Sequence, residues 1–184
     1  VADRGSCVTN REGRVFSLPD CGAVFRCEPD GANFGVFATG LRNPQELAFD
    51  AFGNLWTADN NGDGGDKSRW TLVLEGAEYG WTIGWQNLPK MGAWNSERLW
   101  HTRESNGAAY LVPPVAPVGH GPAGIAFYPG TGLGERYRDH FFVTDFPGGV
   151  RHFRVEPVGA FFKVVQAEGA GDSRTWLEDN SPAN

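Results

Sequence analysis

The side chains best suited to chemistry in this sequence fall in two short polar segments. The first, Arg42-Asn43-Pro44-Gln45, places a guanidinium and two carboxamides close together. A guanidinium grips a carboxylate or phosphate through two parallel hydrogen bonds, and carboxamides both donate and accept. The second, Asp59-Asn60-Asn61-Gly62-Asp63-Gly64-Gly65-Asp66-Lys67, is acidic and rich in glycine. Together the two segments suit a small anionic or metal-bridged ligand. Ordinary roles stand beside this reading. Arg42 could pair with Glu46, Asn43 and Gln45 could satisfy loop backbone, and the acidic segment could be a solvated turn.

Asp59-x-Asn61-x-Asp63-Gly64 matches the opening of an EF-hand calcium loop. The match ends there: Trp70 stands where the closing Glu belongs, and strands rather than helices flank the segment. What is left is a calcium site of another build, made from carboxylates and loop carbonyls. Lys67 would oppose a cation there. The four histidines are scattered. His140 and His152 lie on predicted strands, where packing is their expected role, and His101 lies in a long irregular stretch. His120, before Gly121-Pro122, is on a loop that can share a face with Arg42. It is the one histidine placed to accept a proton, although an ordinary solvated role fits it as well, and the catalytic base is otherwise unidentified. No Ser-His-Asp set, phosphate-binding loop or Cys-His zinc spacing is present.

These residues need strands to position them. Ala48-Phe49 and Leu55-Trp56-Thr57 are strand-like, with Phe52-Gly53-Asn54 as the turn between them. Arg42 to Gln45 and Asp59 to Asp66 therefore leave one hairpin at the same end. Further strands are expected at 23–27, 33–38, 69–75, 124–127, 140–144, 150–155 and 160–165. Turns are expected at Glu28 to Gly31, Phe146 to Gly149 and Glu156 to Gly159. Residues 1–22 read as an irregular N-terminal segment, 82–118 as a long irregular insertion, and 170–184 as a polar tail after a propeller portion spanning 23–169. Seven Trp and thirteen Phe against a single Met favour strands, and 26 Gly with 12 Pro imply many turns. The composition is that of an all-β chain.

A net charge of -6 without a basic cluster excludes a nucleic-acid binder, and no apolar run is long enough for a transmembrane helix. Cys7, Cys21 and Cys27 have neither zinc nor haem-attachment spacing, and one disulfide or three thiols fit equally.

The chain repeats itself. Phe25 to Phe34 and Phe153 to Phe162 agree at seven of ten positions. Ala48-Phe49 followed by Leu55 to Asp59 likewise resembles Ala126-Phe127 followed by Phe141 to Asp145. A unit of about four strands, seen twice and begun once earlier, is the signature of a β-propeller. Roughly two antiparallel four-stranded blades plus strands of a third are present, fewer than the roughly four that closure needs. The expectation is an arc of a longer protein. A complete two-sheet sandwich leaves the repeat unexplained.

Gly40-Leu41-Arg42-Asn43-Pro44-Gln45, Ala48-Phe49, Gly64-Gly65-Asp66 and Tyr79-Gly80-Trp81 together resemble the soluble quinoprotein glucose/sorbosone dehydrogenase family. Leu41 to Phe49, Asp59 to Arg69, Val112 to Pro114, Tyr128 to Leu133 and Asp139 to Phe142 resemble more closely the membrane-bound dehydrogenase domain of planctomycete-type haem-binding proteins. The resemblance covers most of residues 20–166. It implies a partial six-bladed propeller and a dehydrogenase of sugars or alcohols with pyrroloquinoline quinone (PQQ) and calcium as cofactors. It implies a periplasmic or extracellular location, and as partners the remaining blades of a parent chain and a cytochrome c domain carrying haem outside this one. By the same resemblance Arg42, Asn43, Gln45 and Asp66 face the quinone, and the loop at Asn60, Asn61 and Gly62 supplies calcium ligands. Lys67 and Pro147-Gly148-Gly149 depart from the family's Glu and its cofactor-binding Lys, and its general-base His belongs to an earlier blade. The chain alone is therefore expected to be inactive. Two other classes remain, a non-catalytic propeller serving as a binding or scaffold module and, less well matched, a calcium-dependent lactonase propeller. The lactonase needs acidic ligands at several blade starts, and Pro122-Ala123 offers none.

Overall fold

The structure is a computed structural model describing residues 5–62, 66–81, 112–146 and 149–165. Twelve strands make up the described fold: β1 (Ser6–Thr9), β2 (Val15–Leu18), β3 (Gly22–Arg26), β4 (Gly35–Leu41), β5 (Pro44–Phe49), β6 (Leu55–Asp59), β7 (Arg69–Val73), β8 (Ala116–Pro117), β9 (Pro122–Tyr128), β10 (His140–Asp145), β11 (Gly149–Val158) and β12 (Phe161–Val165). Among the described residues the helical content is one 3-10 turn, Glu135–Tyr137.

The strands form two four-stranded antiparallel sheets, β5-β6-β7-β8 and β9-β10-β11-β12, and two hairpins, β1-β2 and β3-β4. Each four-stranded sheet runs as a meander from its first strand to its last, which is the build of a propeller blade. The fold is a partial β-propeller: two blades preceded by the paired strands β3-β4.

The blades pack face to face, as a radial arrangement requires. Trp56, Trp70, Val118, Ile125, Phe141, Val143 and Phe153 form the core between blade one and blade two. Trp56 and Trp70 stack with centroids 5.6 Å apart, and Trp70 meets Phe153 edge-on at 4.9 Å. A second core, Val24, Ala38, Leu41, Val73 and Tyr79, joins the β3-β4 hairpin to blade one. The segment after β7 runs along β4, where Thr39 N donates to Ala77 O, Tyr79 N to Thr39 O, and Trp81 N to Gly40 O.

Three expectations are corrected. Residues 6–18 are a hairpin rather than irregular. A turn at Asn10–Arg14, closed by Gly13 at φ 83°, lets the Val8, Val15 and Phe16 strands pair. The end of the expected 82–118 insertion is ordered, since β8 closes blade one against Arg69 and Trp70, while 82–111 and the tail lie outside the described residues. Glu156 to Val158, expected to turn, continue β11 against Phe161 to Lys163, and the turn falls at Gly159, φ 61°. The three cysteines are unpaired thiols. Burial raises the Cys21 thiol above its ordinary value, with Glu78 and Asp20 adding to this and a backbone hydrogen bond at Gly40 opposing it, which keeps it protonated and inert.

Candidate functional site

Pairing register gathers the polar segments. Pro44 lies opposite Asp59, Asp59 opposite Arg69, and Arg69 opposite Pro117. In blade two, Pro122 lies opposite Asp145, and Asp145 opposite Gly149. The loops 42–43 and 118–121, residues 60–62 and 66–68, and Phe146 therefore crowd one rim of the arc. This is the shared end expected for Arg42 to Gln45 and for the described part of Asp59 to Asp66, and the face expected for His120.

At the centre of the rim in blade one is Asp59, whose side chain is wholly buried. It accepts from Asn43 N at 2.7 Å, from Arg42 N at 3.0 Å and from the Arg69 guanidinium, itself only 2 % exposed. A carboxylate buried among two backbone donors and a cation is a satisfied group, and it fixes the backbone that carries Arg42 and Asn43. The Gln45 amide donates to Asn43 Oδ1 at 2.9 Å, so these two carboxamides stand as a pair on the exposed rim. Glu46 Oε2 accepts from Ile125 N at 2.8 Å and binds blade one to blade two.

Asn60 and Ser68 bridge the blades. Asn60 Nδ2 donates to Asn43 O at 3.2 Å and to Pro122 O at 2.9 Å. Ser68 Oγ donates to His120 O at 3.0 Å and accepts from Asn61 N at 3.1 Å. Asp66, 5 % exposed, folds back so that its Oδ2 accepts from Gly62 N at 2.7 Å. Gly62 is needed there, because a Cβ would stand 2.8 Å from the Trp81 ring. Asn60, Asn61 and Gly62 thus brace the loop and the neighbouring blade, and Asp63 to Gly65 lie outside the described residues. Among the described residues no three of His, Cys, Asp and Glu gather as a metal site.

His120 is exposed on the rim. Its N donates to Asp145 Oδ1 at 2.9 Å, as does Gly121 N, and the wholly buried Asp145 carboxylate also accepts from Arg151 Nε at 3.1 Å. Phe146, 79 % exposed, stands beside it with its N donating to Gly121 O at 3.0 Å. His140 and His152 are elsewhere, as expected. They pack at 5.3 Å on the far face of blade two, with Tyr137 edge-on to both. A separate groove of about 420 Å³ opens at the opposite end of the blades, lined by Phe52, Phe127, Phe141 and Phe162 with Asp50 and Glu156, and it shares no residue with the rim.

Sequence reasoning did not single out Arg69, Asp145 and Ser68 as parts of this site. The available signal was positional: Asp59 and Asp145 each close the second strand of a repeat, where an apolar residue would serve the sheet equally well.

The glucose/sorbosone dehydrogenase family model matches residues 3–156. Among curated proteins, none matches the chain. Two solved glucose dehydrogenases are similar in fold. One is 20 % identical with a TM-score of 0.55, covering 90 % of this chain and 55 % of its own. The other is 22 % identical with a TM-score of 0.52, covering 90 % of this chain and 52 % of its own. The chain spans about half the length of these structures.

Proposed function

The chain belongs to the glucose/sorbosone dehydrogenase family, and from that premise we propose that it is part of the cofactor-binding wall of a quinone-dependent sugar or alcohol dehydrogenase. The observation that carries the reading is that the buried Asp59–Arg69 pair holds the Arg42 and Asn43 amides on one rim, with the Gln45 amide against Asn43. A guanidinium with two carboxamides suits a planar ligand that bears carboxylates and ring carbonyls, as PQQ does. Arg42 would bind a carboxylate, and the Asn43–Gln45 pair would orient the ligand through its remaining amide groups. When bound, the quinone supplies the acceptor for the two electrons leaving the substrate. Asp59 and Arg69 fix the backbone beneath these side chains, so that little ordering is left to binding.

For calcium the described residues do not make a site by themselves. Asp66 accepts from Gly62 N, the Asn60 amide bridges two carbonyls, and a calcium shell of about six to eight oxygens needs more than these. No step is drawn through the ion.

The test is a PQQ titration of the full-length protein followed by tryptophan fluorescence, with Arg42→Ala beside it. Losing a charge-assisted hydrogen bond should weaken binding by about 1.5–3 kcal/mol, roughly ten- to 150-fold. Equal affinity removes Arg42 from the site. No binding by the unsubstituted protein would leave the non-catalytic propeller as the better reading.

A further inference from the structure

We propose that His120 is a ligand-contacting residue of the same rim and that Asp145 is its positioning residue. This rests on the quinone reading above and extends the wall into the second blade. The argument is a repeated device. Register places Asp59 opposite Pro44 and Asp145 opposite Pro122, so Arg42 and His120 each stand two residues before the proline that opens a blade. In both blades the buried carboxylate accepts from two consecutive backbone amides, Arg42 and Asn43 in one, His120 and Gly121 in the other. In both an arginine of the third strand, Arg69 or Arg151, supplies the counter-charge.

The second carboxylate is accommodated at some expense in conformational freedom. Gly119 lies over it at φ 44°, and a Cβ there would stand 2.4 Å from Asp145 Cγ. His120 is also held on its other side, since its carbonyl accepts from Ser68 Oγ of blade one. Both polar backbone groups of this residue are thus fixed by protein, yet its imidazole is exposed. An exposed side chain on so tightly held a backbone is the arrangement of a preorganised binding group. The Asn60 amide spans Asn43 O and Pro122 O, tying the Arg42 and His120 loops to one another. The ligand chemistry that suits both positions is an anionic, carbonyl-bearing molecule, with imidazole N–H donating to one of its oxygens.

The device also sets the test. Both amides of the second blade go to Asp145 Oδ1, so an asparagine carbonyl can retain them, whereas alanine cannot. In the full-length protein, His120→Gln should leave the melting temperature unchanged, because the side chain is exposed, and raise the PQQ dissociation constant about tenfold. Asp145→Asn should bind within about threefold of the unsubstituted protein and Asp145→Ala about as poorly as His120→Gln, the two losses failing to add in the double variant. Additive losses overturn the positioning role of Asp145. A dissociation constant unchanged by His120→Gln, in a protein that does bind PQQ, overturns the ligand contact while leaving the quinone reading standing. If the unsubstituted protein gives no fluorescence response to PQQ, both fall together. Should Asp145→Ala fail to fold, His120→Gln decides alone.

Discussion

Arg69→Met tests whether the rim is held by the buried pair. Asp59 and Arg69 have 0 % and 2 % of their side chains exposed, so the carboxylate left behind by Arg69→Met keeps two amide donors and loses its counter-charge. Breaking a buried ion pair from one side costs about 3–5 kcal/mol, a large part of the roughly 5–15 kcal/mol that holds a domain. Asp59→Leu should cost a similar amount, for it takes the carboxylate from the buried guanidinium and frees the amides of Arg42 and Asn43. The double variant Asp59→Leu/Arg69→Met removes both charges. It should be less destabilised than the sum of the singles by about 2 kcal/mol or more, because the largest penalty in each single is the uncompensated partner. Its PQQ affinity should stay low, since no buried carboxylate then holds the Arg42 and Asn43 amides. Denaturant midpoints of the full-length protein, followed by tryptophan fluorescence, give the stabilities. The reasoning is refuted if Arg69→Met costs less than about 1 kcal/mol, or if the single losses simply add.

Two further outcomes concern pH and the blade frame. Asp50 holds the β5–β6 turn: Oδ1 accepts from Phe52 N and Asn54 N, each at 2.9 Å, and Oδ2 from Asn54 Nδ2 at 2.8 Å and Trp56 Nε1 at 3.0 Å. Burial pushes this carboxyl up, but the donors from Asn54, Trp56 and Phe52 outweigh it and hold it below the ordinary value. Its contribution should be complete above about pH 3.9 and lost as pH falls through the lower folded value. Asp50→Ala should cost about 1–3 kcal/mol at neutral pH and flatten the acid limb of the denaturation midpoint, and an unchanged limb would count against the turn's role. His152 is held below the ordinary histidine value, first by burial and then by His140 and Arg136. Stability should therefore be full above about pH 6.5 and decline as pH falls through the folded value. His152→Phe should remove that decline, measured as midpoint against pH, and a slope identical to that of the unsubstituted protein would show that His152 is not its source.

The hairpin that carries the rim was readable because its signals are local. Ala48-Phe49 and Leu55 to Thr57 have strand composition, and a glycine at φ 83° closes the turn between them. The blade repeat was readable as well, yet its two copies fold differently at one point. Glu28-Pro29-Asp30-Gly31 makes a turn because Asp30 Oδ1 accepts from Ala32 N at 2.9 Å. In Glu156-Pro157-Val158-Gly159 a valine stands where Asp30 does, nothing draws the chain out of the ladder, and β11 runs on to Val158. Asp30 against Val158 was the deciding difference, and it was hidden under seven identities. The β1-β2 hairpin was missed for the opposite reason: the strands on either side of Arg11 to Arg14 are four residues each, too short to show a period. Long-range partners were not legible at all. That Glu46 would serve Ile125 N, 79 residues away, or Asn60 the carbonyl of Pro122, 62 away, depends on how blades pack.

The rim sits at the ends of strands for a physical reason. Where a chain enters the first strand of a blade, the amides just before the proline have no strand to pair with, and so near the core they need an acceptor. A carboxylate at the end of the second strand is within reach of two such amides at once, and an arginine on the third strand cancels its charge. The same arrangement answers that need twice, while the side chain it presents changes from guanidinium to imidazole. In the proposed function, stability and recognition fall to different atoms of one loop: the buried carboxylates and the backbone they hold for the first, the residue two before the proline for the second. Substitution of the presented side chain should therefore alter binding with little effect on folding, and substitution of the buried aspartate should alter both.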